Sequence, residues 1–238
     1  MLTLCGIDVG SLRTPAHVAW LLGRCFLLDL YLPSVQDPLP RPPDGWPPPA
    51  CIALDAPQGL PQPGQSARAC DRLANAPTRR LPADRRELSA WRLYRGLVEA
   101  GVELFWSIYE RGLGSVAGLG GVPPGPVPTV VETYPRYVIR RLWPELRIPS
   151  KTGAPQDYVD AVFGRIRRAG YSCGAVAAGP PRTGSRGFLA VDHVDAMVGA
   201  LAAEAWLAAG GPPPGTVGRA PAADWEGRVL REGFIVSP

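Results

Sequence analysis

Apolar residues fall into short unbroken runs early in this 238-residue chain and into three- and four-residue spacings later. Residues 2–8, 16–22 and 25–32 read as strands, the last two joined as a hairpin around Gly23-Arg24. Residues 50–55 are a short apolar run bounded by prolines, as expected of a buried central strand. Residues 128–132 form another strand. A short helix is expected over 66–75, opened by Ser66. From Arg86 onward, Leu88, Trp91, Tyr94, Val98, Val102, Phe105 and Ile108 make the stripe of one long helix. Further helices are expected over 135–143, with Pro135 in its first turn, and from Gln156 to Ala169, with Tyr158, Val162 and Ile166 on one side. The last covers 192–209 and stops at Gly210-Gly211. Residues 187–190 and 228–236 read as further strands, the second an edge strand. Proline- and glycine-rich loops fill 33–49, 112–128 and 210–221. A strand meander followed by alternating strands and helices predicts one α/β domain with a mixed sheet over residues 1–238.

Composition adds limits. With 46% apolar residues the chain can build a sizeable core. The longest weakly polar run, Ala196 to Ala209, contains Glu204 and is too short to span a bilayer. The N-terminal apolar run reads as a strand rather than a cleavable leader, so the expected location is cytoplasmic. The five cysteines, Cys5, Cys25, Cys51, Cys70 and Cys173, are scattered, with no Cys-x-x-Cys pair, which argues against zinc and fits a reducing compartment. Of 25 basic residues only Lys151 is a lysine, and net charge is +4. That balance permits nucleic-acid binding, for which Arg68, Arg79, Arg80, Arg85, Arg86, Arg136, Arg140 and Arg141 are candidates, without establishing it.

The candidate chemistry is acidic. Asp8, Asp55 and Glu132 each end an apolar run, and Asp192 and Asp195 open the last helix. Singly, each has a plain explanation. Asp8 and Asp55 are turn residues, and Asp192 is a suitable N-cap. Glu132 is harder to place, because a buried carboxylate needs an arginine or a metal; Arg136, Arg140 and Arg141 follow closely. Jointly, three strand ends and a helix start suggest a cluster that needs a cation. Neither His17 nor His193 completes a Ser-His-Asp or Cys-His arrangement. The sequence has no Gly-x-x-x-x-Gly-Lys-Ser/Thr phosphate loop, and Gly-x-Gly-x-x-Gly is absent near the first strand.

The order Gly-Ile-Asp8, Leu-Asp55-Ala-Pro, Val-Glu132-Thr-Tyr-Pro and Asp192-x-x-Asp195-Ala resembles the ribonuclease H-like superfamily. Its closing helix is similar to that of Holliday-junction resolvases. More closely, the chain resembles the family called domain of unknown function 429, regarded as predicted nucleases of that superfamily. Arg68-x-x-Asp71, Ser150-Lys151-Thr and Glu232-Gly-Phe-Ile-Val extend the likeness over nearly the whole chain. It departs from the family after Asp8, where a Gly-Gly-Trp turn is replaced by Ser11 to His17.

The resemblance implies a five-stranded mixed sheet flanked by helices, with Asp8 and Asp55 meeting at its centre. Asp8, Asp55, Glu132, Asp192 and Asp195 would then serve as metal ligands and catalytic residues. Their hard oxygen donors favour Mg²⁺ or Mn²⁺. The implied reaction is two-metal hydrolysis of phosphodiesters in DNA or RNA, with Arg68, Arg136 and Lys151 contacting phosphate. Two other readings remain open: an ATP-dependent small-molecule kinase, and a non-catalytic nucleic-acid-binding module of the same fold.

Overall fold

The computed structural model describes residues 1–78, 80–92, 94–120, 126–176 and 190–238. The opening meander is β1 (Thr3–Asp8), β2 (Ala16–Leu22) and β3 (Cys25–Tyr31), followed by β4 (Pro49–Asp55). Next come α1 (Ala69–Ala74), a 3₁₀ helix (Arg85–Ala90) and α2 (Arg95–Glu110). Then follow β5 (Ser115–Val116), β6 (Thr129–Glu132), α3 (Pro135–Leu142) and α4 (Pro155–Arg168). The chain closes with β7 (Ser172–Val176), α5 (Val191–Ala209), β8 (Val217–Asp224) and β9 (Val229–Ile235). Among the described residues, no helix is long and apolar enough to cross a membrane.

These strands form one nine-stranded sheet rather than the five strands expected, in the order β7-β3-β2-β1-β4-β6-β9-β8, with β5 beside β6. The β1–β2 and β2–β3 pairs are antiparallel; β1–β4 and β4–β6 are parallel. Three of the additional strands have weak signals in the sequence. β5 is two residues long and lies in the expected 112–128 loop. Short β7 carries Gly174 and runs parallel to β3. β8 occupies part of the expected 210–221 loop and contains Gly218 and Pro221. It is an edge strand with a register shift between Arg219 and Ala222, where proline is tolerated. Consequently β9 is an interior strand between β6 and β8, not an edge. The strand expected at 187–190 lies outside the described residues except for Ala190, and Arg79 lies outside them too.

The long helix expected from Arg86 is two helices. Asp84 accepts a hydrogen bond from the Arg86 N–H at the start of the 3₁₀ helix, and Tyr94 adopts a left-handed backbone (φ 53°) that restarts the chain as α2. The Leu88-Trp91-Tyr94 spacing of three belongs to this interrupted stretch. The stripe divides between two clusters: Leu88, Val98 and Val102 pack with Leu60, Leu81 and Val229, while Phe105 and Ile108 join the layer on the sheet. Helix α1 opens at Arg68, not Ser66, and its first N–H, that of Ala69, is satisfied by Glu232 in β9 at 2.9 Å.

The sheet has apolar layers on both faces. One contains α5 and residues of α3 and α4, among them Val138, Ile139, Tyr158, Val162 and Ile166. The other contains Ala100, Leu104, Phe105, Trp106 and Ile108 of α2. Helix α5 is apolar on nearly all sides because it is covered on nearly all sides, from Val194 to Ala203. It ends at Gly210 (φ 66°), where the Gly210 and Gly211 N–H groups return to the carbonyls of Leu207 and Trp206.

Candidate metal centre

Strand register brings the first two acidic residues together. In the parallel β1–β4 ladder Asp8 stands directly beside Asp55, and in β1–β2 it stands opposite His17. Side chains alternate along a strand, so Asp8 and Asp55 share the sheet face of Leu4, Ala53 and α5. The third carboxylate comes from Asp195, one turn into α5. Its arrival depends on Gly6, over which α5 passes closely. A Cβ on Gly6 would lie 1.9 Å from the Ala196 carbonyl oxygen and 2.3 Å from the Ala200 nitrogen. The carboxylate oxygens of Asp8, Asp55 and Asp195 thus lie within 4.8 Å of one another.

Glu132 is directed elsewhere. It pairs with Leu54, not Asp55, and therefore shares Leu54's face of the sheet. There its Oε2 accepts from the Gln58 N–H at 2.7 Å and from Arg68 Nη1 at 2.6 Å, while Oε1 accepts from Arg68 Nη2 at 2.7 Å. The same guanidinium donates through Nε and Nη2 to Asp71, whose Oδ1 also accepts from Thr78. Arg68, expected to contact phosphate, is fully buried and committed to these two carboxylates. Cys70, Asp71 and Glu132 also place ligand atoms within 4.8 Å of one another. Arg68 already serves as the cation for both carboxylates of that group.

Asp192 is not the N-cap, a position held by Ala190. Its side chain is 55% exposed and lies 3.7 Å from His17 Nδ1. The His17 and His193 rings meet edge to face with centroids 4.4 Å apart. Both ring nitrogens of His193 are shielded from solvent, with no hydrogen-bond partner among the described residues. Burial pulls His193 down to about 4 and lowers His17 as well, so both imidazoles are neutral near pH 7.

Burial first, and crowding after it, raise all three aspartates. Burial, followed by the charges of Asp55, Asp195 and Asp192, raises Asp8 well above the ordinary carboxylate range. Burial raises Asp55 to about 8 against the pull of Lys151, with Asp195, Glu132 and Asp192 adding to the rise. Asp195 is also raised by burial, opposed by Lys151 and by a hydrogen bond from Tyr158. The Lys151 ammonium donates to Asp195 Oδ2 and the Tyr158 hydroxyl to Oδ1. Tyr158 counted only as an apolar residue of α4 in the sequence, yet its polar tip fixes this carboxylate. The signal was a tyrosine on an otherwise aliphatic stripe, which buries best when its hydroxyl finds a partner.

Beside the carboxylates lies a cleft of about 450 Å³, lined in part by Asp55, Tyr134, Arg136, Ser150, Lys151 and Thr152. Arg136 and Lys151 therefore face the same space as Asp55. A larger cleft of about 1350 Å³ shares no lining residue with it. Arg80, Arg85, Arg86, Arg228 and Arg231 line that second cleft together with Asp84, Glu87, Asp224 and Glu226. Several of these arginines are already paired, Arg85 with Glu103, Arg228 with Glu110 and Arg231 with Asp224. Arg140 reaches the Ala74 carbonyl. The acidic group therefore borders the smaller cleft, not the larger one.

A family model described as "Protein of unknown function (DUF429)" matches residues 6–221. The chain belongs to the DUF429 family. That match includes Asp8, Asp55, Glu132, Lys151, Asp192 and Asp195, and stops short of the Glu232-Gly-Phe-Ile-Val segment. No curated protein and no solved structure matches the chain.

Proposed function

We propose that this DUF429 protein is a metal-dependent nuclease that hydrolyses phosphodiester bonds of DNA or RNA. The observation that carries the reading is the convergence of Asp8, Asp55 and Asp195 beside a cleft holding Arg136 and Lys151. Three carboxylates crowded in a poorly solvated place repel one another, and a divalent cation relieves that repulsion. The donors are hard oxygens with no thiolate in the group, which suits Mg²⁺ or Mn²⁺. The ribonuclease H-like part of the reading is supported by the run β3-β2-β1-β4-β6, an antiparallel meander joined to two parallel strands with the acidic residues at its centre.

Asp8, Asp55 and Asp195 would hold one ion. Asp192 is the carboxylate left to help hold a second, since Glu132 is engaged by Arg68. A bound ion supplies activated water and neutralises charge on the phosphate and the leaving oxygen. Arg136 and Lys151 would hold and orient the phosphate from the cleft wall. Tyr158 keeps Asp195 turned toward Asp8 and Asp55. Arg68 and the Gln58 N–H fix Glu132, whose charge contributes to the field at Asp55.

The test is cleavage of single-stranded and duplex DNA, RNA, hybrid and branched substrates with Mg²⁺ or Mn²⁺. Cleavage should stop with EDTA and in Asp55→Asn. Metal and nucleic-acid binding without cleavage would favour a non-catalytic module. Phosphoryl transfer from ATP without cleavage would favour a kinase.

A further inference from the structure

The sole lysine of the chain stands at the acidic group. Every other basic residue that titrates above neutrality is arginine, 24 of the 25. An ammonium is a compact point charge, whereas a guanidinium is a broad planar fork. Only the compact group can approximate the position and isotropic field of a metal ion among three carboxylates. Lys151 donates to Asp195 Oδ2 and is close enough to Asp55 and Asp8 to interact with both charges. The other oxygen of Asp195 is held independently by Tyr158, so this carboxylate keeps its orientation when the ammonium leaves.

We infer that Lys151 is an internal counter-cation that occupies the metal position in the ion-free protein and is displaced into the cleft when a divalent ion binds. The inference rests on the metal-centre reading above and deepens it. Lys151 sits on the turn between α3 and α4, its side chain is 31% exposed, and it already lines the cleft with Arg136, Ser150 and Thr152. Its exit therefore needs rotation of a flexible side chain, with no rearrangement of the sheet. The exchange balances in charge and protons: the ammonium leaves Asp195 Oδ2, a doubly charged ion takes the three carboxylates, and a proton still held on Asp55 goes to solvent. The released ammonium is left facing the space where a phosphate would sit. Lys151 thus couples ion loading to phosphate binding.

Displacement has a thermodynamic signature. If the ion-competent arrangement is a minor state, apparent affinity is reduced by its population. Lys151→Met removes the competitor and keeps the aliphatic stem. Titration with MnCl₂ or MgCl₂, followed calorimetrically, should show roughly tenfold tighter binding in this variant, corresponding to a competent population of about one tenth in the parent. The parent protein supplies a second readout that needs no variant. Because the chain has one lysine, amine acylation followed by peptide mass spectrometry reports Lys151 separately from the N-terminus. Saturating MgCl₂ should accelerate its modification severalfold. Equal or weaker ion binding in Lys151→Met overturns the inference. So does a modification rate that saturating MgCl₂ leaves unchanged or lowers, and in either case the metal centre itself still stands. Failure of both proteins to bind either ion overturns the metal-centre reading and this inference together.

Discussion

Removing one charge from the acidic group should stabilise the metal-free protein, although the side chain is central to the proposed activity. Asp55 is the residue to change, because burial and its acidic neighbours raise it from the ordinary 3.8 to about 8. Between those values the folded protein holds a proton that the unfolded chain has released. Stability is therefore lost as pH rises through this window, by up to about 1.4 kcal/mol per pH unit. By pH 7 the loss amounts to about 4 kcal/mol relative to acidic solution. Asp55 keeps some contact with water at the cleft, and Lys151 loses an attractive partner when the charge is removed. Screening and that loss halve the expectation to about 2 kcal/mol. For a chain of this size Asp55→Asn should then raise the midpoint at pH 7 by roughly 4–8 °C. The assay is thermal unfolding from pH 4.5 to 8.5 in EDTA. The parent should lose stability across the range and the variant should lose less. With Mg²⁺ at about a hundredfold excess over Kd the parent should gain about 2.7 kcal/mol, and the variant should forfeit most of it. A variant that melts below the parent at pH 7 with an unchanged pH slope would refute the account of Asp55 as a crowded carboxylate.

Arg68→Met should lower stability by about 3–5 kcal/mol, because Asp71 and Glu132 are left buried without their cation; denaturant titration measures it, and a loss under about 1 kcal/mol would count against the pairing. Gly6→Ala should cost about 1–3 kcal/mol by forcing α5 away from β1, and should weaken Mn²⁺ binding in calorimetry because Asp195 moves with the helix. Asp192→Asn should weaken Mn²⁺ binding less than Asp195→Asn does, since Asp192 is exposed and outside the group of three; the reverse order would move the metal centre toward the His17 side.

Much of the fold is legible in the sequence because the relevant signals are local. The apolar runs of β1, β2 and β4 and the proline and glycine punctuation of α3 and α5 place those elements to within a residue or two. The exceptions depend on tertiary context. β8 forms despite Gly218 and Pro221 because β9 offers it an edge, and Gly218 fits because its neighbour there is the Gly233 backbone. Tyr94 interrupts the long stripe with a left-handed backbone that apolar periodicity does not encode. Ala69 takes its cap from a residue 163 positions away.

The same distinction divides the candidate site. Each acidic residue is visible at the end of its run, but the face it occupies depends on strand register, which no single run contains. Asp8 pairs with Asp55 and so shares its face, whereas Glu132 pairs with Leu54 and falls on the other side. One residue of register thus separates a carboxylate in the crowded group from one enclosed by Arg68. Glu132 showed in the sequence that a buried carboxylate required a partner, and both nearby arginines and a metal satisfied that requirement on paper. The partner is an arginine from 64 residues upstream, not Arg136, Arg140 or Arg141. Lys151 illustrates the converse. Its identity as the only lysine was plain in the composition, but its significance depends on a turn between α3 and α4 delivering it to Asp195. Composition thus identifies an unusual charge, strand parity assigns faces once register is known, and only the packing of α5 over Gly6 joins them into a site at which an ammonium and a metal ion would compete.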